Sequence, residues 1–186
     1  MKINSISLIS VVSILSCMSA ANAGVVADFY IGAMGGAGGQ TMFMDHKNET
    51  NSSTVFGAIA GMDIPFFRVE GEYDYITSKD FNTNAGMLNL YAKMPSTIIM
   101  PYIGAGIGMV FGGEQKFTDT NTEYKVESTA AYQAMLGATI AILALPIKFD
   151  VEGRALYAPD IYTIPGTDTT PDMLQYNVRV KMRYIF

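Results

Sequence analysis

The last fourteen residues, Met173 to Phe186, read MLQYNVRVKMRYIF. Leu174, Tyr176, Val178, Val180, Met182, Tyr184 and Phe186 fall on one parity, and Gln175, Asn177, Arg179, Lys181 and Arg183 on the other. Strict period-two alternation places the two sets on opposite faces of an extended strand. The pattern recurs upstream. IKFDVEGRALYA sets Phe149, Val151, Gly153, Ala155 and Tyr157 against Lys148, Asp150, Glu152 and Arg154. FFRVEGEYDY sets Phe67, Val69, Gly71, Tyr73 and Tyr75 against Arg68, Glu70, Glu72 and Asp74, and MLNLYAKM sets Leu88, Leu90 and Ala92 against Asn89, Tyr91 and Lys93.

Three further segments alternate less cleanly. VVADFYIGAM places Phe29, Ile31 and Ala33 opposite Asp28, Tyr30, Gly32 and Met34. PYIGAGIGMVF places Ile103, Ala105, Ile107, Met109 and Phe111 opposite Tyr102, Gly104, Gly106 and Gly108, and AYQAMLGATIAI places Tyr132, Ala134, Leu136 and Ala138 opposite Gln133, Met135, Gly137 and Thr139. TVFGAIAGMDI is strand-like without a fixed phase. The sequence therefore predicts eight strands, near 25–36, 53–63, 66–77, 86–94, 99–111, 129–143, 147–158 and 173–186. Tight turns at Pro65, Pro95 and Pro146 alternate with longer polar connections. An antiparallel up-and-down meander of this kind removes its exposed edges by closing into an all-β, eight-stranded barrel.

Such a barrel either keeps its apolar face inside, as a soluble ligand carrier does, or turns it outward to lipid. Alternation separates the faces without choosing between them. The aromatic residues choose. Phe67 and Tyr75, Phe149 and Tyr157, and Tyr176 and Tyr184 repeat one spacing on the apolar parity. At a rise of about 3.3 Å per residue and a tilt near 40°, that spacing is about 20 Å of height, close to the band between the aromatic girdles of a transmembrane barrel. The expected girdle residues are Phe67, Tyr75, Phe149, Tyr157 and Tyr176. Charged residues make up only 16% of the chain, below the roughly 25% of average soluble domains. No stretch beyond the start is apolar for ~18 residues, which excludes a membrane helix.

The start of the chain, MKINSISLISVVSILSCMSAANA, carries Lys2, a short apolar run and Ala21-Asn22-Ala23. This is the form of a secretory signal cut after Ala23, leaving residues 24–186 as one barrel domain. The surroundings of Cys17 fit a lipoprotein site poorly. Cleavage after Ala23 removes this single cysteine, so the mature chain holds no disulfide.

The segments PYIGAGIGMVFG, AYQAMLGATIAI and FDVEGRALYAPD and the terminal VRVKMRYIF resemble the opacity-type family of bacterial outer-membrane barrels, which is related to the transmembrane domain of outer-membrane protein A. The resemblance spans the mature chain. It implies an outer-membrane location, a monomer, short turns toward the periplasm, long loops outward, and a terminal aromatic strand read by the barrel-assembly machinery. Tyr184 and Phe186 would carry that assembly signal.

With the apolar parity in lipid, Asp28, Arg68, Glu70, Glu72, Asp74, Lys93, Lys148, Asp150, Glu152, Arg154, Arg179, Lys181 and Arg183 point into a lumen that eight strands leave barely wide enough for side chains. Near balance of sign predicts a plug of ion pairs, since an unpaired buried charge is costly. The opposing expectation is a narrow water path along Gly104, Gly106 and Gly108. A net charge of −5 and the absence of a basic patch exclude nucleic-acid binding. His46 beside Asp45, with Ser52 and Ser53 nearby, reads as a solvated loop and not as a catalytic set. GAMGGAGGQ, with no helix after it, reads as a flexible rim at a strand end. No metal or cofactor set is expected. The long polar loops remain as the interaction surface, toward host or envelope ligands. Three readings follow: a non-enzymatic surface barrel of envelope-structural or adhesin-like type, a small channel, and a soluble periplasmic carrier.

Overall fold

A computed structural model describes residues 27–44, 47–78, 81–96, 98–116, 123–125, 128–142, 145–161 and 172–186. The expected signal, with Ala21 and Ala23, lies outside them, as do Asp45 and His46. The strands are β1 (Asp28–Met44), β2 (Lys47–Asp63), β3 (Phe67–Ser78), β4 (Phe81–Lys93), β5 (Ile99–Lys116), β6 (Glu123–Lys125), β7 (Thr129–Ala141), β8 (Ile147–Ala158) and β9 (Asp172–Ile185). All pairings are antiparallel between sequence neighbours, except that β5 also pairs with β7, and β1 with β9. The β1–β9 ladder joins the two ends of the chain and closes a ring of eight strands, with β6 a short addition to the far end of β5.

The facing follows the parity. In β3, β8 and β9 buried and exposed residues alternate through the strand. Val69, Leu90, Ile103, Leu136, Val151 and Val180 point outward, while Arg68, Glu70, Asp150, Glu152, Arg179 and Arg183 are buried inside. This is the inverted pattern of a barrel whose solvent is lipid.

Two expectations about the strand ends are corrected. Residues 37–44 and 47–52 belong to strands and not to a long loop: β1 and β2 stay in register from Asp28↔Asp63 to Met44↔Lys47. Beyond the bilayer both faces of a strand are wet, so the alternation fades while the backbone ladder continues. A strand of 17 residues rises about 40 Å at a tilt near 40°, well past a lipid band of about 25 Å. Nor is GAMGGAGGQ a flexible rim. Gly35 to Gly39 lie within the closing ladder, opposite Val180 to Tyr176. A Cβ on Gly36 would lie 2.6 Å from the Arg179 Cβ, and one on Gly39 would lie 2.6 Å from the Tyr176 hydroxyl. The glycines let the two terminal strands close with large side chains folded over the seam.

Candidate functional site

The lumen is built in layers. At the short-turn mouth, Asp63 receives Lys93, Lys148 at 3.4 Å and Arg183 at 3.2 Å, and Lys148 also reaches Asp28 at 3.6 Å. Asp63 is not among the expected lumen charges, because the phase of its strand cannot be read from the sequence; adding it brings the lumen to seven acids and seven bases. Above it, Asp150 binds Arg68 at 3.0 Å and Arg183 at 2.9 Å, and accepts a hydrogen bond from Thr139 at 2.5 Å. The Arg68 guanidinium lies 3.9 Å from the centre of the Tyr91 ring and 4.6 Å from that of Tyr102.

The middle layer gathers Glu70, Glu72, Asp74 and Glu152 around Arg154, Arg179 and Lys181. Arg179 donates to Glu72 at 2.7 and 3.0 Å and to Glu152 at 2.6 Å. Lys181 donates to Glu70 at 2.7 Å and approaches Glu152 at 3.3 Å. Arg154 bridges Asp74, Glu72 at 3.2 Å and the Gln175 carboxamide oxygen at 2.7 Å. The network continues through neutral groups. Tyr30 and Tyr91 donate to Glu70 at 2.6 and 2.9 Å, Tyr102 to Glu152 at 2.9 Å, and Asn89 to Glu72 at 2.9 Å. Every charged side chain of this layer has no solvent exposure. The neutral partners lie on the inward parity of the sequence, yet only a structure shows which carboxylate each one serves.

The glycine column of β5 is packed against its neighbours' side chains. A Cβ on Gly104 would lie 2.4 Å from the Tyr91 ring, one on Gly106 would lie 2.0 Å from the Asn89 carboxamide, and one on Gly108 would lie 2.7 Å from the Met87 sulfur. The glycines accept the neighbours' large side chains, so the space they vacate is filled.

Toward the long loops the lumen changes character. Val55, Ile76, Met87, Val110, Leu156 and Met173 form a largely apolar cluster together with Ile161, from the connection after β8, while the buried Gln40, Ser53, Thr83 and Gln175 share this level of the lumen. The ion-pair plug therefore occupies part of the barrel's height: on two strands the inward parity passes from charge to hydrocarbon, from Asp74 to Ile76 and from Arg154 to Leu156. The inward turn is built from several contacts. Asp160 takes a left-handed φ of 49°. Asp172 accepts hydrogen bonds from the Tyr157 hydroxyl at 2.6 Å and the Asp160 N–H at 3.3 Å, and Thr129 donates to the Pro159 carbonyl at 2.7 Å.

Outside, Phe67, Tyr75, Phe149, Tyr157 and Tyr176 all face away from the lumen, as does Tyr184, whose ring lies 5.9 Å from that of Phe186. The Phe186 N–H donates to the Phe29 carbonyl at 3.0 Å, tying the final residue to the first strand. Among the described residues there is no cluster of side chains able to hold a metal ion.

The family model described as the outer membrane protein beta-barrel domain matches residues 8–186. Solved structures match as well. Neisserial surface protein A is 15% identical with a TM-score of 0.58, covering 83% of this chain and 97% of that one. The N-terminal barrel of Pseudomonas aeruginosa OprF is 9% identical with a TM-score of 0.52, covering 83% and 97%. Ail, the attachment invasion locus protein of Yersinia pestis, solved with the heparin analogue sucrose octasulfate, is 9% identical with a TM-score of 0.50, covering 84% and 99%. No curated protein matches the chain significantly. At these identities the likeness to the solved structures is one of fold; the family match extends over nearly the whole chain, which belongs to the outer-membrane β-barrel family and resides in the bacterial outer membrane.

Proposed function

We propose that this protein is a non-enzymatic surface barrel that does not conduct, and that its long-loop end is the interaction surface. The observation that carries this reading is the filled lumen: a fully buried ion-pair network lies beneath a buried, largely apolar cluster that includes Ile161. Hydrated ions need a continuous polar path, and paired charges in a low-dielectric interior hold one another in place.

The charge partition supports the rest. The lumen balances seven acids with seven bases, whereas the long connections and adjoining strand ends carry ten acids and only Lys47, Lys79, Lys116 and Lys125 as bases. The excess acid of the mature chain therefore lies at one end. That favours a cationic partner and disfavours a sulfated polyanion of the kind bound in the Ail structure.

In planar bilayers the purified protein is expected to show no regular single-channel steps. In vesicles it is expected to bind a lysine-rich peptide, weakening with added salt, and not heparin; deleting residues 117–122 should weaken that binding while the barrel stays folded. Regular steps whose ion selectivity shifts in Arg179→Gln or Glu152→Gln would replace this reading with the small channel.

A further inference from the structure

The short-turn end has an unusual surface. Its three turns, residues 64–66, 94–98 and 142–146, contain no charged residue, and Ser96 and Thr97 are their only polar side chains. Phe66, Met94, Ile98 and Leu145 are each more than half exposed there. A turn in water has no reason to present such residues, because polar side chains would serve it at less cost.

Part of the backbone of these turns is paired. Pro65, Pro95 and Pro146 have no N–H to satisfy. The Phe66 carbonyl accepts from Lys93 at 2.8 Å, the Ile98 carbonyl from Ala141 at 3.0 Å, and the Pro146 carbonyl from Ile185 at 2.8 Å. The Met94 N–H donates to the Pro101 carbonyl at 3.0 Å and the Leu145 N–H to the Ile142 carbonyl at 3.2 Å.

A further observation comes from the strands. Toward the long-loop end Tyr73, Tyr75, Tyr132, Tyr157 and Tyr176 are exposed together with Phe43 and Phe56, whereas Phe67, Phe186 and Tyr184 are exposed toward the short-turn end. Tyrosine keeps its hydroxyl at the headgroups, and phenylalanine has no polar tip to keep there.

We infer that the lipid interface does not stop at the strand ends but continues over the three short turns, which lie within the leaflet they face. The occupant of the apolar rim is acyl chain, because the rim is continuous with the lipid-facing belt. The inference rests on the membrane location and adds the depth of the barrel and the environment of its turns. Only the mouth of the lumen, with Asp28 and Lys148 partly exposed, meets water at that end.

The chain contains no tryptophan, so single tryptophans report position without background. Phe66→Trp, Met94→Trp, Val178→Trp and Phe43→Trp would each be refolded into phosphatidylcholine vesicles with brominated acyl chains, with iodide present on both sides of the membrane in a parallel series. F66W and M94W probe two different turns, so a folding failure of one variant leaves the other. The bromines are expected to quench F66W and M94W to at least about half the extent seen for V178W at mid-belt, with iodide acting only on F43W. Iodide quenching of F66W and M94W would place the turns in water and overturn the inference. Resistance to both quenchers would mean cover by protein, a second copy included, and would equally overturn it. Failure of V178W to respond to bromine would remove the membrane reading itself.

Discussion

Arg179 illustrates what a single lumen residue contributes. It faces Glu72, Glu152 and Asp74 with no exposure to solvent. Arg179→Gln keeps most of the volume and removes the charge those carboxylates share, and breaking a buried pair from one side costs about 3–5 kcal/mol. Lys148 pairs with Asp28 and Asp63 at the partly wet mouth, where such pairs contribute about 1 kcal/mol or less. Urea unfolding in lipid, followed by far-ultraviolet circular dichroism, should therefore show a large midpoint shift for R179Q and a small one for Lys148→Gln. Equal shifts would contradict the layered picture. The two neighbours Asn177 and Val178 give a second contrast. Val178 is 62% exposed on the outer face, and Val178→Arg should cost about 2–4 kcal/mol near the bilayer centre. Asn177→Arg would bring a charge into a packed interior, so its cost should fall when Arg154 beside it is neutralised, whereas that of V178R should not.

At the scale of elements, the corner after β8 is the most specific local structure. Ile161 is fully buried among the apolar residues of the upper lumen, and burial of this kind makes Ile161→Ala cost about 2–5 kcal/mol. Ile31→Ala on the lipid face should cost less, because acyl chains fill the space left. The same urea series decides it: an equal loss for both would mean that the corner does not seal the barrel. Strands were legible in the sequence wherever one face meets lipid and the other meets charge, as in β3, β8 and β9. They were not legible where that contrast is missing. Above the membrane, β1 and β2 run on through GGQTMFM and KNETNSS with no alternation to mark them. β2 itself alternates small residues of similar polarity, which left its phase open and concealed Asp63. The inward turn at Ile161 rests on contacts between Tyr157, Asp160 and Asp172, which depend on how β8 meets β9 and on no local sequence signal.

For the molecule as a whole, the facing of the barrel was readable because one parity collects nearly all the charge of the strands while the other carries large apolar side chains and almost no charge. The lining charges were readable for the same reason. Which acid meets which base was not, because many partners are far apart in sequence and on strands that are not neighbours: Arg154 and Asp74 are 80 residues apart, and Arg183 and Asp63 are 120. Charge placement also makes a global prediction. With the lumen neutral and the acids concentrated at the long-loop end, raising the salt concentration should weaken association with a cationic peptide while leaving the urea midpoint nearly unchanged, since the interior pairs are shielded from the ionic atmosphere. A midpoint that falls steeply with salt would show that the pairs are wet.

The three cations of the last strand have a consequence for the order of assembly. Strands β1 to β8 bring seven acids but only Arg68, Lys93, Lys148 and Arg154 into the lumen, so a chain built that far carries three uncompensated negative charges. Arg179, Lys181 and Arg183 cancel them in one step, reaching acids on the adjacent β8 and, over the lumen, on β2 and β3. An incomplete barrel is therefore electrically unsuited to lipid until its final strand docks on its first. Insertion and closure are then expected to be a single event: a chain ending before β9 should fail to float with vesicles in a density gradient, and its flotation would contradict this order.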